Sequence, residues 1–187
     1  EFAASVEPPA FYTRWGNPNF SEVEAVVASL EGAERALVTS SGMAAIALAL
    51  EAFLRPGDRV VAPAALYLGT EQLLRRWEER RGLEIAWVQD TQDLAEWEEA
   101  LRPNAALLWL ETPSNPTLAI TDLEAVAGLA KRYGARSVAD NTFASPVFTR
   151  PLERGVDLVV ESATKYLGGH SDLVAGVLAG SSEDVEA

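Results

Sequence analysis

The chain contains two lysines, and their surroundings differ. Lys131 stands beside Arg132 toward the end of an amphipathic stretch, where a cation complements a helix dipole. Lys165 lies in the string Ser162-Ala163-Thr164-Lys165-Tyr166-Leu167-Gly168-Gly169-His170, behind a short apolar run and before a glycine pair. An amine kept in a partly desolvated cleft has a lowered pKa and can serve as nucleophile or base. An exposed lysine has neither property, and the local string accommodates both placements.

Two further strings have types and spacing suited to chemistry. Ser40-Ser41-Gly42-Met43 precedes a helical segment, so its hydroxyls and backbone amides would face the positive end of a helix dipole. Alone, the tetrapeptide reads as a serine N-cap with a glycine easing the turn. Asp140, followed by Asn141 and Thr142, closes an apolar run; a carboxylate there can cap a turn, hold a cation or pair with a protonated ring nitrogen. His170-Ser171-Asp172 holds the only histidine, but adjacent residues point apart and cannot form a Ser–His–Asp relay, so His170 reads as structural or supporting. Neither G-x-x-x-x-G-K-[ST] nor G-x-G-x-x-G occurs.

A phosphate cradle, an acid for a pyridinium nitrogen and a lysine for a Schiff base are the protein's three fixed contributions to binding pyridoxal 5'-phosphate. Asp140 would raise the ring nitrogen's pKa. Tyr67 could stack on the ring.

The elements that must position these groups alternate along the chain. Ser21 with Glu24 forms a capping-box pattern opening a helix that Gly32 closes. Strands are expected at Arg35–Ser40, Arg59–Ala62, Leu83–Val88 and Ala105–Leu110, and helices over 43–54, Gly69–Arg81 and Leu94–Leu101. A second capping box, Thr121 with Glu124, opens a helix running to Gly134. Further short apolar runs cover Ser137–Ala139, Leu158–Glu161 and Leu173–Leu178. This is the pattern of an α/β domain with helices flanking a mostly parallel sheet, whose ligands lie beyond the carboxyl ends of the strands. Residues 1–20, rich in proline and aromatics, read as an extended arm that packs on something, and 21–187 as the folded domain.

Composition narrows the function. Fifteen Lys plus Arg against 28 Asp plus Glu leave a formal charge of −13, which disfavours nucleic acid and anionic membranes as partners. With no cysteine, thiolate catalysis and Cys-based zinc sites are excluded, and one histidine excludes a His-rich metal centre. No apolar run is long enough for a membrane helix, no secretory leader is apparent, and the composition suits a heat-tolerant cytoplasmic protein. Starting at Glu1 and stopping at Ala187 in an acidic stretch, the chain is expected to be a piece of a longer polypeptide.

The chain resembles the Cys/Met-metabolism family of pyridoxal-phosphate enzymes, of fold type I. Six blocks in family order carry the resemblance: 12–18 (YTRWGNP), 40–44 (SSGMA), 66–70 (LYLGT), 111–116 (ETPSNP), 138–142 (VADNT) and 162–170 (SATKYLGGH). The resemblance implies a three-layer large domain in which Lys165 joins the cofactor aldehyde and later shuttles protons. Ser41, Gly42 and Met43, with Ser162 and Thr164, would hold the phosphate. Asp140, with Thr142 behind it, would pair with the ring nitrogen, Tyr67 would stack and assist proton transfer, and Asn115 would contact cofactor or substrate. Tyr12 and Arg14 would reach the phosphate of a neighbouring subunit, implying a homo-oligomer of active dimers, commonly a tetramer. Three departures stand out: Ala64 and Ala65 where the family often has acids, Gly69 where methionine γ-lyases place Cys, and no match among the 13 arginines for the family's C-terminal substrate-carboxylate ligand.

The function so implied is γ-replacement on O-acylhomoserine, as in cystathionine γ-synthase. Cystathionine γ-lyase, methionine γ-lyase and O-acetylhomoserine sulfhydrylase are alternatives, each acting on a small amino-acid substrate. Outside the enzymes stand a non-catalytic cofactor-binding module, which the intact Lys165, Asp140 and Tyr67 disfavour, and a plain nucleotide-binding domain, which the missing glycine fingerprints disfavour.

Overall fold

The structure, a computed structural model, describes Tyr12, Thr13 and residues 16–187; Arg14 and most of the expected arm lie outside the described residues. Seven strands form one sheet: β1 (Arg35–Thr39), β2 (Arg59–Pro63), β3 (Glu84–Val88), β4 (Leu107–Glu111), β5 (Arg136–Asp140), β6 (Leu158–Glu161) and β7 (Gly176–Gly180). Their order is β1-β7-β6-β5-β4-β2-β3. β7 runs antiparallel to both neighbours, and the remaining pairs are parallel. Among the described residues, no helix is long and apolar enough to cross a membrane.

Strand alternation produces the three layers, because successive side chains leave opposite faces of the sheet. In β4, Leu107 and Trp109 enter a core with Val60, Val138, Val160 and Leu178. That core is covered by α2 (Gly42–Phe53) through Ile46 and Leu50, and by α3 (Leu68–Arg81) through Leu74 and Trp77. Leu108 and Leu110 point the other way and meet α4 (Leu94–Ala100) through Trp97 and α5 (Leu123–Tyr133) through Val126 and Ala130. A third cluster packs Val27 and Ala28 of α1 (Pro18–Glu31) against Ala36, Val177 and Ala179 of β1 and β7. The expected alternation of strands and helices is therefore present, and both sheet faces are covered.

Three local expectations are corrected. α1 begins at Pro18, with Asn17 as cap accepting from the Asn19 amide, so Ser21 lies inside the helix. Proline suits a first turn because its missing N–H is not needed there. Glu24, within α1, uses its side chain to accept the Val38 amide at 3.0 Å. α5 is capped by Asp122, which accepts from the Ala125 amide, not by Thr121, whose own amide goes to the Thr112 hydroxyl. Finally, the last strand starts at Gly176, three residues beyond Leu173, and Leu173 and Val174 are exposed. Gly32 and Gly134 do end α1 and α5, at φ 70° and 74°.

Candidate functional site

Four parallel strands, β2, β4, β5 and β6, end on the same side of the sheet, and a cavity of about 810 Å³ opens beyond their tips. Most candidates from the sequence converge on it. Ser41, Gly42 and Met43 come from the start of α2, Tyr67 from the turn after β2, and Asn115 from the loop after β4. Asp140 and Thr142 come from the end of β5, and Ser162, Thr164 and Lys165 from the segment after β6. Tyr12 does not line the cavity; it is exposed. Arg14 lies outside the described residues.

At the first turn of α2, the Ser41 hydroxyl caps the helix by accepting the Ala44 amide at 3.1 Å. The bland reading of the tetrapeptide is thus correct for Ser41, and it leaves the next two amides, at Gly42 and Met43, without intrahelical acceptors. A Cβ on Gly42 would stand 2.6 Å from the Ser162 Cβ. Glycine is required there for a steric reason: the α2 terminus and the loop after β6 meet closely enough to share one anion. The Ser162 amide donates to the Thr142 hydroxyl at 2.8 Å, tying that loop to the tip of β5. Thr164 is committed differently, since its hydroxyl donates to the Ala175 carbonyl and accepts the Ala175 amide, both at 3.1 Å.

Asp140 is buried, and its carboxylate accepts the Thr142 amide at 3.0 Å. Burial raises its pKa above the usual carboxylate range, while the Thr142 hydroxyl and amide pull it back. Among the described residues no ion pair includes Asp140. Among the described residues, Lys165 is the one basic side chain lining the cavity. It is exposed rather than partly desolvated, because its neighbours Tyr166, Gly169 and His170 form the open rim. His170 lies 3.3 Å from the Gly168 carbonyl. Tyr67 is 40% exposed at the N-terminal boundary of α3. Its ring packs where a side chain at position 69 would go: a Cβ on Gly69 would meet Tyr67 Cε1 at 2.5 Å and Met43 Sδ at 2.7 Å.

Three buried acids were not singled out from the sequence. Glu111 ends β4 opposite Asp140 in register. Its pKa is pushed up to about 7, chiefly by burial and then by the Asp140 charge, against two amide hydrogen bonds that favour the ionised form. Glu161 ends β6 and faces Glu31, the last residue of α1, with Asn141 between them. An acid closing a buried apolar strand was the signal that picked out Asp140, and it applies equally to Glu111 and Glu161.

The donor set fits pyridoxal phosphate: a buried acid lacking a cation, an amine across the same cavity, and orphan amides beside a hydroxyl at a helix start. Comparison with known proteins agrees. The model of the Cys/Met metabolism PLP-dependent enzymes matches residues 2–187. The chain belongs to this family. Its relatives include an L-methionine gamma-lyase from Porphyromonas gingivalis, 44% identical over 98% of this chain and 46% of that protein. A cystathionine gamma-synthase from Mycobacterium bovis is 43% identical over 94% of this chain and 45% of its own length. Among solved structures, MetB from Corynebacterium glutamicum superposes with a TM-score of 0.90 at 43% identity, covering 94% of this chain and 45% of that one. Cystathionine gamma synthase from Xanthomonas oryzae pv. oryzae, in complex with cystathionine, gives 0.90 at 39%, with 98% of this chain and 48% of that one covered. The family is dependent on pyridoxal phosphate, and the chain spans about half the length of the curated relatives it matches.

Proposed function

We propose that the whole protein is a pyridoxal-phosphate enzyme of sulfur amino-acid metabolism that performs γ-replacement on an O-acylhomoserine, as a cystathionine γ-synthase does. The convergence of Lys165, Asp140 and the Gly42–Ser162 contact on one cavity at the strand tips carries the cofactor part of this reading; the choice of γ-replacement rests on the likeness to cystathionine gamma-synthases. When bound, the cofactor supplies an aldehyde and a protonated ring able to take up the electron pair left at the substrate's α-carbon. The Gly42 and Met43 amides and the Ser162 hydroxyl hold the phosphate; Thr164 joins them if its hydroxyl turns from Ala175. Asp140 keeps the proton on the ring nitrogen. Lys165 would be the amine that holds the aldehyde at rest, and, freed once the substrate's own amine takes its place, it would move the proton at the α-carbon. Tyr67 covers the ring and assists proton transfer, and Asn115 faces the substrate side. Exposure of Lys165 and Tyr67 is consistent with a site completed by a neighbouring subunit, through Tyr12 and Arg14, within a homotetramer working in the cytoplasm.

Elimination by the same site is the second reading, favoured by relatives named cystathionine gamma-lyase and L-methionine gamma-lyase at 44% identity. Gly69 counts against the methionine-lyase branch, because a Cβ at that position collides with the Tyr67 ring.

The test uses the full-length protein. Borohydride reduction followed by peptide mass mapping should label Lys165, and a folded, cofactor-supplied sample without that label defeats the proposal. Incubation with an O-acylhomoserine plus cysteine should yield cystathionine. Turnover of cystathionine alone, with no condensation, would replace the synthase reading by the lyase one.

A further inference from the structure

Glu111 makes two hydrogen bonds to backbone amides of residues that line the cavity. Its Oε2 accepts the Tyr67 backbone amide at 2.9 Å, and its Oε1 accepts the Asn115 backbone amide at 2.6 Å. The first amide belongs to the turn between β2 and α3, where Tyr67 occupies the N-terminal boundary of the helix without any side-chain cap. The second belongs to the loop after β4, whose remaining bonds are internal: the Ser114 hydroxyl lies 2.6 Å from the Thr117 hydroxyl and accepts the Ala119 amide, and the Leu118 amide returns to the Ser114 carbonyl. Glu111 is therefore the strap from the rigid end of a central strand to both loops. It is 4% exposed, and each oxygen takes one amide.

We propose that Glu111 is a positioning residue that sets Tyr67 and Asn115, both lining the cavity, against the cofactor and substrate. This rests on the cofactor reading above. The burial of Glu111 costs free energy that a purely architectural position would avoid with leucine, since a carboxylate there also faces the Asp140 charge. The compensation comes from the two amides, both on residues that face the cavity. Gln at 111 has one acceptor oxygen, and its NH2 group would confront an amide donor, so one loop must withdraw. Asp keeps the charge, but its shorter stem cannot reach both amides.

The experiment compares full-length wild type, E111Q and E111D in the cofactor-loaded state. Readouts are the borohydride adduct on Lys165, the visible circular dichroism of the cofactor band, kcat and KM, and Tm. Both variants should keep the adduct and a near-wild-type Tm. Both should show altered ellipticity of the cofactor band and a kcat/KM lower by about tenfold or more, as misplaced reacting groups do. Should E111Q fail to fold, E111D, which retains the charge, carries the test. Wild-type ellipticity with kcat/KM within about twofold in the folded variants overturns the inference, as does an impaired E111Q beside a wild-type-like E111D, which would mean charge alone suffices. A wild-type protein without the Lys165 adduct refutes the cofactor reading itself, and this inference with it.

Discussion

Replacing Glu161 by Gln should flatten the pH dependence of stability in the alkaline range. Glu161 is 2% exposed, Glu31 is 1% and Asn141 is 1%. The Asn141 side-chain amide donates to Glu31 Oε1 at 2.9 Å, to the Thr149 carbonyl at 2.9 Å and to Glu161 Oε1 at 3.3 Å. Two amide hydrogens cannot fully satisfy three acceptors, and among the described residues Glu31 Oε2 has no donor. A proton on Glu161 directed at Glu31 removes the deficit. Burial first, then Glu31 and the Asp140 charge, push the Glu161 pKa from 4.5 to about 10. The folded pKa thus lies above the unfolded one, so the folded state binds the extra proton between those values. The associated stability is fully present below pH 4.5 and is lost as pH rises toward about 10. Each such proton gives a slope of about 1.4 kcal/mol per pH unit. Glu111, with its pKa near 7, titrates in the same sense but lower, so measuring from about pH 7.5 to about pH 9 isolates Glu161. Across that interval wild type should lose roughly 2 kcal/mol more than E161Q, whose amide mimics the protonated acid and can donate to Glu31. Urea unfolding followed by tryptophan fluorescence, at matched cofactor concentration, reads both slopes. Parallel stability–pH lines for the two proteins would refute the shared-proton account.

Two further substitutions probe the cavity walls. Gly42→Ala should weaken cofactor retention by about tenfold or more, measured by dialysis and absorbance, because its Cβ would lie 2.6 Å from the Ser162 Cβ and must part the two halves of the anion cradle. Retention equal to wild type would dissociate that contact from the phosphate. Gly69→Ala should displace the Tyr67 ring and lower kcat while leaving Tm within a few degrees, since the colliding atoms are a half-exposed ring edge and a flexible thioether at 2.5 and 2.7 Å. Unchanged kcat would show that the ring position does not matter to the reaction.

Much of this protein is decided locally. Short runs with an apolar centre, such as Leu107–Glu111 and Arg136–Asp140, become strands, and a helix-period stretch such as Leu123–Tyr133 becomes a helix ended by glycine. Each follows from side-chain periodicity and turn chemistry readable within a few residues. The strings around Lys165, Asp140 and Gly42 are equally local, and the rule that ligands lie at carboxyl strand ends was enough to bring them to one cavity. Helix starts were harder, because Ser21 and Thr121 are chemically as able to cap as Asn17 and Asp122; the choice fell to the residues whose backbone turned where the chain enters the layer. The roles of Glu31, Glu111 and Glu161 are set by tertiary structure alone. Asn141 meets Glu31 across 110 positions of sequence, and the Glu111 carboxylate serves amides 44 residues before it and four after. An acid's proton affinity depends on the water it has lost and the charges it faces, and neither exists until the layers have closed around it.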